Sequence, residues 1–282
     1  MIRKANLSYQ NLDGKAVSES IRADLKARIA ALGGKPTVLA TILVGNNPAS
    51  ETYVKMKGKA CEAIGMTSKK IQLPENCTTD MLLRIIDECN SDPKIRGILL
   101  QHPSPTQIDE RAAFDRIAIE KDVDGVTAFG FGRMSLGIPS YPACTPAGIM
   151  RLLDAYNIEL SGLHAVVVGR SPILGKPMAQ LLLNRDCTIT VCHSRTKDLP
   201  GHVKQADLVV AACGKPEFIQ GDWIKPGAIV VDAGYNPGNV GDVDFKACAE
   251  RASYITPVPG GVGPMTITML LAHTVESAEK AK

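Results

Sequence analysis

Two short stretches carry residues whose types and spacing suit chemistry. The first, "SETYVKMKGKA" (50–60), puts Tyr53 and Lys57 four residues apart and therefore on one face of a helix, with Ser50 close to the same face. A lysine among apolar neighbours loses hydration of its charged form, which lowers its pKa and makes it usable as a general acid or base near neutrality. Most helical lysines are solvated, and Lys55 and Lys59 flank this one, so spacing alone leaves both readings open. The second stretch, "VVVGRSPILGKPMA" (166–179), joins an apolar run to a helical pattern through a turn bounded by Gly169 and Gly175. A helix start in that place offers N–H groups and partial positive charge to a phosphate. Its glycines fit neither GxGxxG nor the P-loop, since five residues separate them and Pro177 stands where a P-loop has Ser or Thr. Phosphate binding and tight strand–helix packing both remain as explanations.

The strand after that helix shifts the balance. An NAD site usually carries an acid there to accept from the ribose 2′-hydroxyl. Here "TITVCHSRT" (188–196) delivers His193, Ser194 and Arg195 and no acid. A 2′-phosphate wants donors and positive charge, which Ser194, Arg195 and Arg170 supply; otherwise they cap a helix or face solvent. With the turn, the expectation is NADP rather than NAD. Gln101 ends the apolar run "GILLQ" and Asp124 sits in "KDVDG"; both suit a cleft, or a turn. "PVPGGVGP" (257–264) either brings backbone close to a ligand or makes tight turns. No Ser-His-Asp, Cys-His or paired-carboxylate arrangement stands out by spacing.

The elements that position these residues alternate between strand and helix. Val17, Ile21, Leu25 and Ile29 give a helix ending at Gly33-Gly34, followed by the run "TVLATILVG" of a strand buried on both faces. A helix closed by Gly65, the strand "SKKIQL", the helix "TTDMLLRIIDECN" and the strand "RGILLQ" follow. The Gly/Pro-rich "TAFGFGRMSLGIPSYPACTP" reads as loop and domain junction, after which Thr145 as N-cap and Pro146 at the first position open a helix. Strands are then expected at "HAVVVG", "TITVCH", "ADLVVAAC" and "GAIVVDAG", and a long helix over "MTITMLLAHTVESAEKAK". This pattern defines an α/β fold.

Composition narrows the partners. A net charge of +3 is too small to argue for nucleic acid or a membrane surface, and with 4% aromatic residues a base-stacking platform is not expected. Eight cysteines are scattered singly with no CxxC, which argues against a zinc site and for a reducing, cytoplasmic setting. "MIRKANLSYQ" has no apolar core of a secretory signal, and no run reaches the length of a membrane span.

Nine ordered blocks carry a resemblance. They include "SETYVKMKGKA", "GILLQHP", "EKDVDGVT", "CTPAGIM", "HAVVVGRSPILGKP", "TVCHSRT" and "ITPVPGGVGPMTITML". Over essentially its whole length the chain resembles the bifunctional methylenetetrahydrofolate dehydrogenase/methenyltetrahydrofolate cyclohydrolase family. The resemblance implies an N-terminal α/β catalytic domain (1–141), a Rossmann-like NADP-binding domain (142–263) and a folate cleft between them, with the helix 264–282 packing back on the first. It implies roles too: Lys57 as the catalytic lysine, Gln101 tuning it, Tyr53 stacking on the folate, Asp124 hydrogen-bonding the pterin, and Ser50 in support. Pro259, Gly260 and Gly261 would line the folate site; Gly169, Arg170, Ser171, Gly175, Ser194 and Arg195 would form the NADP site. No metal is expected, and a homodimer through the nucleotide domain is. The implied chemistry is NADP-dependent oxidation of 5,10-methylenetetrahydrofolate, with or without a polyglutamate tail, then hydrolysis to 10-formyltetrahydrofolate. Where the family commonly has Leu-Pro-Leu-Pro after Gln101, this chain has His102-Pro103-Ser104-Pro105, and Ala143 replaces a proline. Those departures motivate a rival reading, a dehydrogenase with weak or absent cyclohydrolase activity.

Overall fold

The structure is a computed structural model that describes residues 9–281. The opening "MIRKANLS", which bears on the absence of a secretory signal, lies outside the described residues. In chain order the elements are β1 (Gln10–Asn11), α1 (Gly14–Ala31), β2 (Val38–Val44), α2 (Pro48–Ala63), β3 (Thr67–Leu73), α3 (Thr79–Ser91), β4 (Ile95–Leu100), α4 (Glu110–Arg116), α5 (Ala128–Ser135) and α6 (Cys144–Ala155). They continue as β5 (His164–Val168), α7 (Gly175–Leu183), β6 (Thr188–Cys192), α8 (Leu199–Lys204), β7 (Leu208–Ala211), β8 (Ile229–Asp232), α9 (Phe245–Ala249), β9 (Tyr254–Ile255) and α10 (Val262–Lys280). Among the described residues, no helix is long and apolar enough to cross a membrane, and the eight cysteines are free.

The chain divides into two units. One comprises Glu19–Cys144 and Ile267–Ala281. Its parallel sheet runs β3-β2-β4, with β2 central and almost wholly buried. In α3, Leu82, Ile86 and Cys89 recur at helical spacing and bury against β2 and β4, while the Thr78 hydroxyl caps the first turn by accepting from Met81 N. The later part of α10 joins this unit through Arg28 to Glu279, and through Ser277 Oγ donating to the Glu120 carbonyl.

The other unit takes Tyr9–Ser18 and Thr145–Thr266. Its six-stranded sheet has the order β1-β9-β8-β7-β5-β6, parallel throughout. β7 and β8 are buried along their whole length, hence their continuous Val/Ile/Leu composition. From β5 the chain builds outward to β6, then returns to the other side of β5 as β7, so the order reverses at β5, where ligands of such sheets bind at the strand carboxyl ends.

The two units meet along the chain at 144/145 and again at 266/267, inside α10, and Tyr9–Ser18 group with the larger sheet, where β1 pairs with β9 in parallel register. Two expectations about local structure are corrected. The Gly/Pro-rich stretch is not all loop, since it contains α5. The Thr127 hydroxyl accepts from Gly130 N at 2.9 Å, and a Cβ on Gly130 would lie only 2.8 Å from that same oxygen, so the glycine serves the capped turn. The following helix starts at Cys144, so Thr145 lies within its first turn and does not cap it.

Candidate active site

Within the unit built on β2, local signals place the lysine. Asn47 Oδ1 accepts from Ala49 N at 3.0 Å and Ser50 N at 3.2 Å, and Pro48 opens α2. That start sets the rotation of α2, burying Ser50 and Val54 while Tyr53 stays exposed, and Lys57 is half-buried one turn beyond Tyr53. Gln101 comes from β4. Its backbone N–H donates to Ile42 O at 2.8 Å, extending the β2–β4 ladder by one residue and fixing the side chain's origin.

The Gln101 amide has a determined orientation. Its Nε2 donates to the His102 carbonyl at 2.7 Å, and a carbonyl only accepts, so Oε1 must face the other way. There it accepts from Lys57 Nζ at 3.1 Å. Burial lowers the Lys57 pKa below its ordinary value, and the negative charge of Asp124 opposes this. The lysine is thus held nearer the range in which it exchanges a proton in neutral solution.

Two residues that spacing did not reveal complete the group. Cys144 is buried, and its thiol donates to Val123 O at 3.2 Å, close to the Asp124 carboxylate. Burial and the Asp124 charge push that thiol well above its usual range, so it stays protonated. His273 of α10 donates Nδ1–H to the same Val123 carbonyl at 2.8 Å; burial lowers its pKa and keeps it neutral. "CTP" and "AHT" carry no spacing signal, and their roles depend on chain packing 129 residues apart.

His102 turns away from the lysine. Its Nδ1 lies 2.8 and 3.0 Å from the two oxygens of Glu110, which also accepts from Ser104 N. Glu110 is the first residue of α4, where a carboxylate is favoured by the helix dipole. The departure from Leu-Pro-Leu-Pro therefore creates a loop clamp. His102→Leu is expected to change the cyclohydrolysis rate less than about threefold and to leave its pH profile in place; a displaced profile would show that His102 acts on Lys57.

The second unit carries the dinucleotide candidates. Gly169 directly follows β5 with φ +137°, and a Cβ there would lie 2.0 Å from Ala212 O. A Cβ on Gly175, the first residue of α7, would meet Gly169 O at 2.3 Å. The two glycines fold the turn tightly on itself, and Ser171 Oγ accepts from Gly175 N at 3.3 Å. Arg170, Ser171, Ser194 and Arg195 are all exposed at the carboxyl ends of β5 and β6. Strand ends, a helix start and cationic donors without an acid on β6 suit a dinucleotide with an additional phosphate. Pro259, Gly260 and Gly261 lie in this unit too, where Gly260 O accepts from Lys15 N and Gly261 N donates to Pro257 O.

A Rossmann-like sheet with a phosphate-ready turn, and a separate α/β unit presenting a glutamine-held lysine, define a dinucleotide-dependent α/β enzyme. Family models agree in detail. The catalytic-domain model of tetrahydrofolate dehydrogenase/cyclohydrolase matches residues 12–124, and the NAD(P)-binding-domain model of the same family matches residues 143–282. This chain belongs to the tetrahydrofolate dehydrogenase/cyclohydrolase family. It is 62% identical over 273 residues to the bifunctional protein FolD of Shouchella clausii, covering 96% of this chain and 98% of that one. The solved FolD methylenetetrahydrofolate dehydrogenase/cyclohydrolase of Campylobacter jejuni is 47% identical with a TM-score of 0.95, over 96% and 99% of the two chains. That of Trypanosoma brucei, solved with NADP cofactor and an inhibitor, is 38% identical with a TM-score of 0.91, over 96% and 98%.

Proposed function

We propose that this chain oxidises 5,10-methylenetetrahydrofolate to 5,10-methenyltetrahydrofolate with NADP+ and hydrolyses the product to 10-formyltetrahydrofolate. The observation that carries the hydrolytic half is the Lys57–Gln101 pair, 3.1 Å apart with the amide orientation fixed. In its neutral form Lys57 accepts a proton from the water that adds to the methenyl carbon. As the ammonium it returns a proton to the ring nitrogen when the C–N bond breaks, while the carbinol hydroxyl releases its proton to solvent as the formyl C=O forms. Gln101 holds Nζ in place through both steps, because an amide oxygen accepts from amine and ammonium alike. Tyr53 stacks on the folate, Asp124 hydrogen-bonds the pterin and sustains the lysine's charge, and Ser50 supports the start of α2. Pro259, Gly260 and Gly261 offer backbone to the folate.

When bound, NADP+ supplies the hydride acceptor. The chain's part is to seat it: Gly169 and Gly175 leave room for the pyrophosphate at the start of α7, Arg170 and Ser171 donate to it, and Ser194 and Arg195 take the 2′-phosphate. Arg195→Ala is expected to lower the NADP+/NAD+ ratio of kcat/KM about tenfold or more, the scale of one lost charged hydrogen bond. An unchanged ratio would remove Arg195 from the site. The departures after Gln101 do not favour a dehydrogenase lacking cyclohydrolase activity, because His102 is held by Glu110 and Gln101 still faces Lys57.

The test is a paired assay on the purified protein: reduced nicotinamide from methylenetetrahydrofolate with NADP+ or NAD+, and decay of supplied methenyltetrahydrofolate. Reduction with NADP+ and decay above the buffer rate are expected. Reduction without enhanced decay refutes the hydrolytic half, and reduction with NAD+ alone refutes the coenzyme assignment. We also propose a homodimer through the nucleotide-binding unit, supported by the edge position of β6 and the exposure of Leu183 and Val191; a monomeric mass in analytical ultracentrifugation would exclude it.

A further inference from the structure

We propose that the unit bearing Lys57 has a second binding site, for a small organic anion with a phosphate or carboxylate group, anchored by Arg96. A cavity of about 460 Å³ opens among the start of β4, the 3-10 turn Ile119–Lys121, the segment after α5 and the end of α10. That volume is in the range of small-molecule sites. Four cations line it, Arg96, Lys121, Arg133 and Lys280, against one carboxylate, Glu120.

Three of these cations already have partners. Lys121 Nζ donates to the carbonyls of Cys89, Asn90 and Asp92 at the end of α3. Arg133 directs Nε and one terminal nitrogen to Pro139 O. Lys280 lies 4.9 Å from the centre of the Tyr141 ring and 3.9 Å from Glu276. Arg96 differs. Its Nε–H is buried with no hydrogen-bond acceptor, and among the described residues no carboxylate pairs with its guanidinium. Lys121 lies close enough for the two positive charges to repel. A buried charged donor left unmet is unfavourable, and a bound oxyanion answers it with the two-pronged geometry guanidinium prefers. Ile95 and Ile119 add an aliphatic wall for an organic body. The site is distinct from the catalytic one, for Arg96 precedes Gln101 by five residues along β4, roughly 17 Å of extended chain.

The experiment uses the full chain labelled with 15N-arginine and saturated with NADP+, titrated separately with sodium phosphate and sodium succinate, with sodium chloride at matched ionic strength as control. The Arg96 Nε–H resonance, identified by its loss in Arg96→Met, is expected to shift saturably with a midpoint below about 5 mM. Lys280→Met is expected to raise that midpoint about threefold or more. Response to either anion supports the site, and which one responds tells a phosphoester ligand from a carboxylate. A linear shift, an equal shift with chloride, or a midpoint indifferent to Lys280→Met overturns it.

Discussion

Lys57→Met is expected to lower methenyltetrahydrofolate hydrolysis a hundredfold or more, the range supplied by a positioned proton carrier, while folate binding persists. Methionine keeps the length and apolar stem of lysine and removes only the titrating nitrogen. The measurement is single-turnover decay of the methenyl compound beside fluorescence titration of folate; equal losses in both would mean that Lys57 binds and does not catalyse. A pH profile sharpens the test. Burial lowers the Lys57 pKa and Asp124 opposes that shift. In Asp124→Asn the opposing charge is gone, the pKa falls further, and the rising limb of kcat against pH should move to lower pH. A limb that stays fixed or moves to higher pH contradicts this account of the lysine.

Gly169→Ala is expected to abolish measurable NADP+ binding and to destabilise the fold by about 3 kcal/mol. The added methyl would lie 2.0 Å from Ala212 O, and φ at this position is +137°. Ala212 cannot retreat freely, because its N–H donates to Val168 O at the end of the β5–β7 ladder. Gly132→Ala makes the control. A methyl there has nothing within 4 Å and no positive φ to strain, so stability should hold or rise by up to about 1 kcal/mol. Denaturant unfolding and NADP+ titration of both variants check this; a Gly169→Ala protein with unchanged midpoint and affinity would refute the close-approach argument.

The contrast between these two sites shows what a single sequence reveals. The turn from Gly169 to Gly175 is legible because strand, turn and helix are contiguous, and only glycine satisfies the approach the turn needs. The shared face of Tyr53 and Lys57 is legible for the same reason, helical geometry acting over four residues. The Gln101–Lys57 contact is not, since it depends on β4 pairing with β2 in a register that periodicity does not specify. Without the family resemblance, Gln101 and a turn residue would have looked alike. Cys144 and His273 were missed because each reads as an ordinary core residue until α10 is packed against the segment ending at Cys144. β1 was missed for a simpler reason: two exposed residues, Gln10 and Asn11, carry no hydrophobic pattern, and only the backbone ladder makes them a strand. α5 was hidden by composition, its glycines reading as turn formers although one of them lets the helix cap close.

The assignment of the first described residues to the larger sheet bears on how the polypeptide is made. On the ribosome, domains fold as they emerge, in order of synthesis. Here the unit containing Lys57 has most of its chain out after residue 144, yet it must wait for the stretch beyond Ile267 before its packing is complete. The nucleotide-binding unit begins earlier still, with β1, and cannot seat that strand until β9 has been synthesised more than 240 residues later. Translation therefore delivers two partly built cores, and each is closed only once the stretch from β9 through α10 has been synthesised.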